Sequence, residues 1–354
     1  MDLSAPLAWL VDEAGDSPGA DRFLADLGSR LLADGLPLVG GALTLAVPHP
    51  IIARRTWLWR ADSGTVIEAL GFAGVAPPDP TGRDWLTELG PVQQHAAGRA
   101  PESPVLGWAT SRPFSPAETD RLREIARFAA APLAALAGRV ALSALLEAYL
   151  GRRSAARVQG GALRRGTGET IHAALLCADL RDFTVLSEAT EPTAMIAVLD
   201  AWFDRVAGAV HAFGGEVLKF IGDGVLAIFP VTGPPGEACE AALRAVAAAR
   251  AGMSHLDAVR QAQGLPPLRF GAALHLGEIL WGNIGAADRL DFTAIGPAVN
   301  LVSRLEGLCR PLGHSILISG ALAGATATPL VALGEHRLRG IAAPCAVFTL
   351  PDGQ

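Results

Sequence analysis

The chain has 354 residues, half of them hydrophobic, and a net charge of −6 at neutral pH. That length allows roughly two or three domains with sizeable cores. The acidic balance, with no basic stripe to offset it, argues against a general nucleic-acid binder. Cys177, Cys239, Cys309 and Cys345 stand far apart and form no C-x-x-C pair, so no disulfide framework is implied and a reducing, cytoplasmic setting is expected. No basic segment followed by an apolar one opens the chain, so no signal peptide is expected.

Asp21 to Leu36 carries Phe23, Leu24, Leu27, Leu31 and Leu32 at helical spacing and closes at Gly35. Ala42–Val47 and Thr56–Arg60 read as strands, Trp85–Ala97 as a second helix, and Val105–Ala109 as a further strand. The order of these elements up to about residue 114 resembles small sensory domains of the GAF or PAS kind. Trp57, Trp59, Trp85, Trp108, His49 and His95 either line a ligand pocket or serve as core aromatics and surface histidines; no ligand is named. Ser115-Pro116-Ala117-Glu118 supplies an N-cap, a proline at the first helical position and an acid two residues later. The helix that follows runs toward Leu150 with a break expected near Pro132. Its apolar stretch Phe128–Leu150 contains Arg139 and Glu147, so a packed helix is expected rather than a membrane span. Residues 115–169, ending in the basic, Gly-rich stretch Arg152–Gly168, read as a helical linker.

Residues 170–354 alternate strand and helix. Ala173–Ala178 is a short strand, and Thr193–Phe213 is a helix ending at Gly214-Gly215. Val217–Phe220 and Val225–Phe229 read as a hairpin around Ile-Gly-Asp-Gly. Glu237–Val259 is a helix, Leu268–His275 and Glu278–Ile284 read as a second hairpin, and Pro297–Leu308 is a helix. The β-α-β-β-α-β order predicts a ferredoxin-like α/β (α+β) domain.

Within it, Asp179 ends one strand and Asp223 sits in the turn after another. Two carboxylates at one sheet rim form a hard-oxygen site suited to Mg²⁺ or Mn²⁺, ions that usually bind with substrate phosphates. Helix capping is the plainer role for Asp179 and Asp182. Asn300 and Arg304, four apart on one helix, face the same way.

The stretches Ala178–Thr184, Gly215–Gly224 and Asp291–Glu306 together resemble the class III nucleotidyl cyclase family, over about half the chain. The resemblance implies an adenylyl cyclase that converts ATP to 3′,5′-cyclic AMP and pyrophosphate, with two Mg²⁺ or Mn²⁺ ions on Asp179 and Asp223. It implies phosphate binding by the backbone of Phe183 and Thr184, ribose orientation by Asn300 and charge stabilisation by Arg304. It assigns adenine recognition to Lys219 and Thr293, although a threonine is at home in any strand. It further implies a homodimer in which one protomer supplies Asp179 and Asp223 and the other supplies Lys219, Thr293, Asn300 and Arg304. The alternatives are a guanylyl cyclase and a catalytically silent nucleotide-binding module. Glu278 departs from relatives that carry Arg there, and Arg337 or Arg339 could supply the phosphate-binding cation instead. Outside this resemblance, salt bridges to Glu306 or Glu278 would account for Arg304.

Overall fold

The computed structural model describes residues 3–74 and 82–351. The chain divides into two units, Met1–Tyr149 and Leu150–Gln354. In the first, helices α1 (Ala5–Asp12) and α2 (Ala20–Ala33) precede strands β1 (Leu38–Ala46), β2 (Ile52–Arg60) and β3 (Val66–Phe72). Helix α3 (Arg83–Leu89), β4 (Val92–Ala96), β5 (Val105–Thr110), α4 (Pro116–Phe128) and α5 (Ala130–Leu150) follow. The five strands make one antiparallel sheet in the order β3-β2-β1-β5-β4.

The apolar stripe of α2 is what the sequence spacing requires: Phe23, Leu24, Leu27 and Leu31 are fully buried in a core shared with Trp59 and Trp108. The two tryptophan rings meet edge to face at 6.4 Å. Each such side chain contributes about 1.5–3 kcal/mol by leaving water. Trp57 is also in this core, and Trp85 packs with α3 against a smaller apolar cluster. His49 Nδ1 accepts from the Ile51 and Ile52 amides, each at 3.1 Å, and so shapes a turn. His95 on β4, expected at the surface, is half-buried, and its Nε2 has no hydrogen-bond partner among the described residues.

The helix expected over Trp85–Ala97 is instead α3 followed by strand β4. The change falls at Gly90-Pro91, since the residue before a proline disfavours the helical region and proline donates no hydrogen bond. Val92–Ala96 then pair with β5. Strand β3 escaped the sequence reading because it is an edge strand with largely exposed side chains.

Ser115 caps α4 reciprocally, as its spacing predicts: Ser115 Oγ accepts from the Glu118 amide at 3.3 Å and Glu118 Oε2 from the Ser115 amide at 2.7 Å. The break expected near Pro132 falls between Phe128 and Ala130. Among the described residues, α5 alone is long and apolar enough to cross a membrane by length and composition. Its Leu133 and Leu136 are buried in the core of the first unit.

The second unit opens with α6 (Arg152–Gln159), β6 (Gly168–Leu180), α7 (Phe183–Ala189) and α8 (Pro192–Ala212). Strands β7 (Glu216–Ile221) and β8 (Gly224–Pro230), helix α9 (Pro235–Ala262), and strands β9 (Phe270–Gly285) and β10 (Leu290–Ile295) come next. Helices α10 (Pro297–Glu306) and α11 (Cys309–Leu312), β11 (Ile316–Ser319), α12 (Gly320–Ala323), β12 (Val331–His336) and β13 (Cys345–Thr349) complete it. The stretch β9-β6-β8-β7 is antiparallel throughout and has the ferredoxin-like order. Beyond β9 the sheet continues through β11, β13 and β12. Helices α8 and α9 cover one face, with Trp202, Val206 and Val246 buried; α10 covers the other through Ala298, Val302 and Leu305.

The second hairpin expected here does not form. Phe270–Gly285 is one continuous strand, and the reversal comes later, between β9 and β10. Gly277 suggested a turn, but its role is close approach: a Cβ there would lie 2.8 Å from the Ala298 Cβ on α10. Strand β6 is longer than its apolar run because Glu169, Thr170 and His172 extend the pairing with β9.

Candidate active site

Asp179 lies near the end of β6. Asp223 lies in the two-residue turn joining β7 to β8, where Gly222 takes φ +63°, a region open to glycine at no steric cost. Pairing of β6 with β8, with Ala178 opposite Val225, sets the two carboxylates side by side. Asp223 Oδ2 accepts from the Leu180 amide at 3.1 Å, and the Asp223 carbonyl accepts from Trp202 Nε1 at 2.8 Å. The turn is thus held from both sides. Asp179 Oδ1, by contrast, is buried with no hydrogen-bond partner. Burial, then the neighbouring Asp223 carboxylate, pushes the Asp179 carboxyl well above the usual carboxylate range. An unsatisfied carboxylate oxygen beside a second carboxylate fits a hard divalent cation. No cluster of three or more His, Cys, Asp or Glu ligands occurs among the described residues. The two aspartates therefore suit an ion that completes its shell with phosphate and water.

Arg181 was not singled out from sequence, and Glu306 only as a partner for Arg304, yet both stand at this rim. Burial raises the Glu306 carboxyl, Arg181 opposes that rise and Asp223 adds to it. Glu306 arrives from the far end of α10, a proximity that only the packing of that helix reveals. Asp182 takes φ 57° just before α7 and pairs with Arg310 at 3.0 Å. Its side chain makes no capping bond. Phe183 is half-buried against the core, and Thr184 is exposed.

The other expected site residues lie on β7, β10 and α10. Lys219 on β7 forms an ion pair with Asp291 on β10. Thr293, two residues further along β10, is buried, and its Oγ1 has no hydrogen-bond partner. Asn300 and Arg304 are exposed on α10, on the side away from Val302 and Leu305. Among the described residues Arg304 makes no ion pair, so neither Glu278 nor Glu306 engages it. No hydrogen bond or ion pair among them joins Asp179 or Asp223 to Lys219, Thr293, Asn300 or Arg304. The sequence reading missed the Lys219–Asp291 pair, because its members are 72 residues apart and meet only through tertiary packing.

A ferredoxin-like sheet with paired carboxylates at one rim defines a class of phosphate-handling catalytic domains. The adenylate and guanylate cyclase catalytic domain family matches residues 168–329. The second unit therefore contains a class III cyclase catalytic domain. Adenylate cyclase 1 of Rhizobium meliloti is 35% identical over 144 residues, which are 41% of this chain and 22% of that protein. Adenylate cyclase of Anabaena cylindrica is 33% identical over 158 residues, 44% of this chain and 30% of that protein. This chain thus spans less than a third of either relative's length. The structure of a bacterial light-regulated adenylyl cyclase superposes with a TM-score of 0.51 at 26% identity, covering 59% of this chain and 60% of the other.

Proposed function

We propose that the protein is an adenylyl cyclase, converting ATP to 3′,5′-cyclic AMP and pyrophosphate at sites shared between two copies of the chain. In that reaction the ribose 3′-oxygen bonds to the α-phosphorus. The bond from that phosphorus to the pyrophosphate oxygen breaks, and the hydroxyl proton leaves. The observation that carries this reading is Asp179, whose buried oxygen lacks a partner beside Asp223 within a domain of this family. Divalent ions held by these two residues would supply Lewis acidity toward the 3′-hydroxyl and the triphosphate.

The remaining roles belong to the chain's own groups. Thr293 Oγ1, buried and unpaired, is free to bond a purine edge. Lys219 offers a cationic donor to the adenine N1 acceptor; guanine, protonated at N1, would leave that donor opposed, at a cost of order 1–3 kcal/mol. Arg304 has no competing carboxylate, so its fork of donors is available to a phosphate. Asn300 on the same helix face is placed for the ribose. The lack of any link between the carboxylate rim and these residues supports a site completed by a partner copy. Residues 1–114 are read as a sensory unit and residues 115–169 as the linker through which it regulates the catalytic domain, 170–354.

Mixing two inactive variants, Asp179→Ala and Asn300→Ala, tests the shared site. Cyclic AMP formation should return in the mixture, through hybrid dimers with one intact site. Continued inactivity in hybrids shown to assemble would sink the reading. In the unmodified protein, turnover of Mn²⁺-ATP should exceed that of Mn²⁺-GTP; the reverse ratio would make it a guanylyl cyclase.

A further inference from the structure

We infer that the catalytic unit carries a second anion site beside the carboxylate rim: a cationic cleft that takes a phosphate-class oxoanion. The cleft, about 480 Å³ in volume, lies between α9, the start of β9 and the turn after α11. Neither Asp179 nor Asp223 lines it, and neither do Lys219, Thr293, Asn300 or Arg304. The inference therefore does not rest on the cyclase reading.

Its walls carry Arg181, Arg250, Arg269 and Arg310. On α9, Arg250, Ser254 and Asp257 recur at the spacing of one helix face, so that face looks into the cleft. Met253, Leu268 and Phe270 form a buried apolar floor. Such a floor excludes water and strengthens the charges above it.

The two carboxylates of the lining already have partners. Asp182 pairs with Arg310 at 3.0 Å, and Asp257 Oδ1 accepts from the Leu268 amide at 2.7 Å. Arg181 donates to the His314 carbonyl at 3.2 Å, and its own amide donates to the Arg269 carbonyl at 2.8 Å. Among the described residues the Arg250 and Arg269 side chains have no hydrogen bond or ion pair in the structure. The lining is left net positive in a chain whose overall charge is −6. Two unpaired planar guanidinium groups lining one cleft with an apolar floor suit the oxygens of a phosphate, which accept bidentate bonds.

The test uses the full chain carrying Asp223→Asn, without metal ion and at constant ionic strength. It is titrated by calorimetry with inorganic phosphate and, separately, with pyrophosphate. Saturable binding of at least one anion is expected, and the tighter of the two identifies the preferred size. Arg250→Gln and Arg269→Gln should each weaken binding about tenfold or more. Arg269→Lys, which keeps the charge and loses the fork, should weaken it less. Arg244→Gln removes the same charge from the same helix outside the cleft and should change affinity less than about twofold. Absence of saturable binding for both anions, or equal loss in the Arg244→Gln protein, would overturn the inference.

Discussion

Carboxylates occupy two contrasting settings within the catalytic unit. At the start of β7, Glu216 is buried yet fully employed: it accepts from the Arg153 amide at 2.9 Å, the Ser154 amide at 3.1 Å and Ser154 Oγ at 2.8 Å. It thereby caps α6. Glu240 on α9 serves likewise, accepting from the Ala327 and Thr328 amides at 3.0 and 3.1 Å and from Thr328 Oγ1 at 2.6 Å. At the opposite rim of the sheet, Asp179 keeps a buried oxygen with no donor and a like charge beside it. A carboxylate with all its acceptors served holds the chain together. One left short beside another acid lowers stability, and a group retained at that cost is one that meets something outside the chain.

Exchanging charge for amide at each setting should separate the two. Under the proposed function, Asp179→Asn should lower cyclic AMP production by at least about a thousandfold, since the carboxylate proposed to hold the metal is lost. The same change should raise stability in the chelated protein by about 1 kcal/mol, since it removes like-charge repulsion. A clear fall in its urea midpoint would place Asp179 among the structural carboxylates. Glu216→Ala should do the reverse. Loss of a buried acceptor from three donors should cost about 2–4 kcal/mol, read as a lower urea midpoint at unchanged slope.

For Glu240 the effect should depend on pH. Burial raises its carboxyl, but bonds from Thr326, Thr328 and Ala327 outweigh that and leave it below its ordinary value. Its contribution is therefore fully present above the unfolded value, near pH 4.5, and fades as the pH falls through the lower folded value. Glu240→Gln should melt earlier than the unaltered protein at pH 7, by the equivalent of about 1 kcal/mol, with the gap closing toward pH 3. Equal gaps at both pH values would contradict the assignment. The smallest effect is expected for Asp291→Ala, which frees Lys219 from an exposed ion pair. It should change the KM for ATP by a few-fold at most, with kcat unaltered.

What the sequence disclosed follows the same division. Asp179, Asp223, Asn300 and Arg304 stand in contiguous stretches whose order is visible in one dimension. The partners that decide their surroundings do not. Glu306 reaches the rim from the end of a helix, Asp291 meets Lys219 across strands distant in the chain, and Glu216 caps a helix that begins before β6. Local signals also misled where tertiary packing overrode them. Gly277 resembled a turn because close approach and chain reversal both call for glycine. The Trp85–Ala97 stretch has helical apolar spacing, but Pro91 and pairing with β5 divide it.

Gly277 has a further consequence for the reaction. An alanine there would press on Ala298 at 2.8 Å. That push falls on the first turn of α10, the helix that carries Asn300 and Arg304, so under the proposed function it would displace both. The missing methyl in β9 thus acts as a shim left out, setting how closely α10 sits against the sheet.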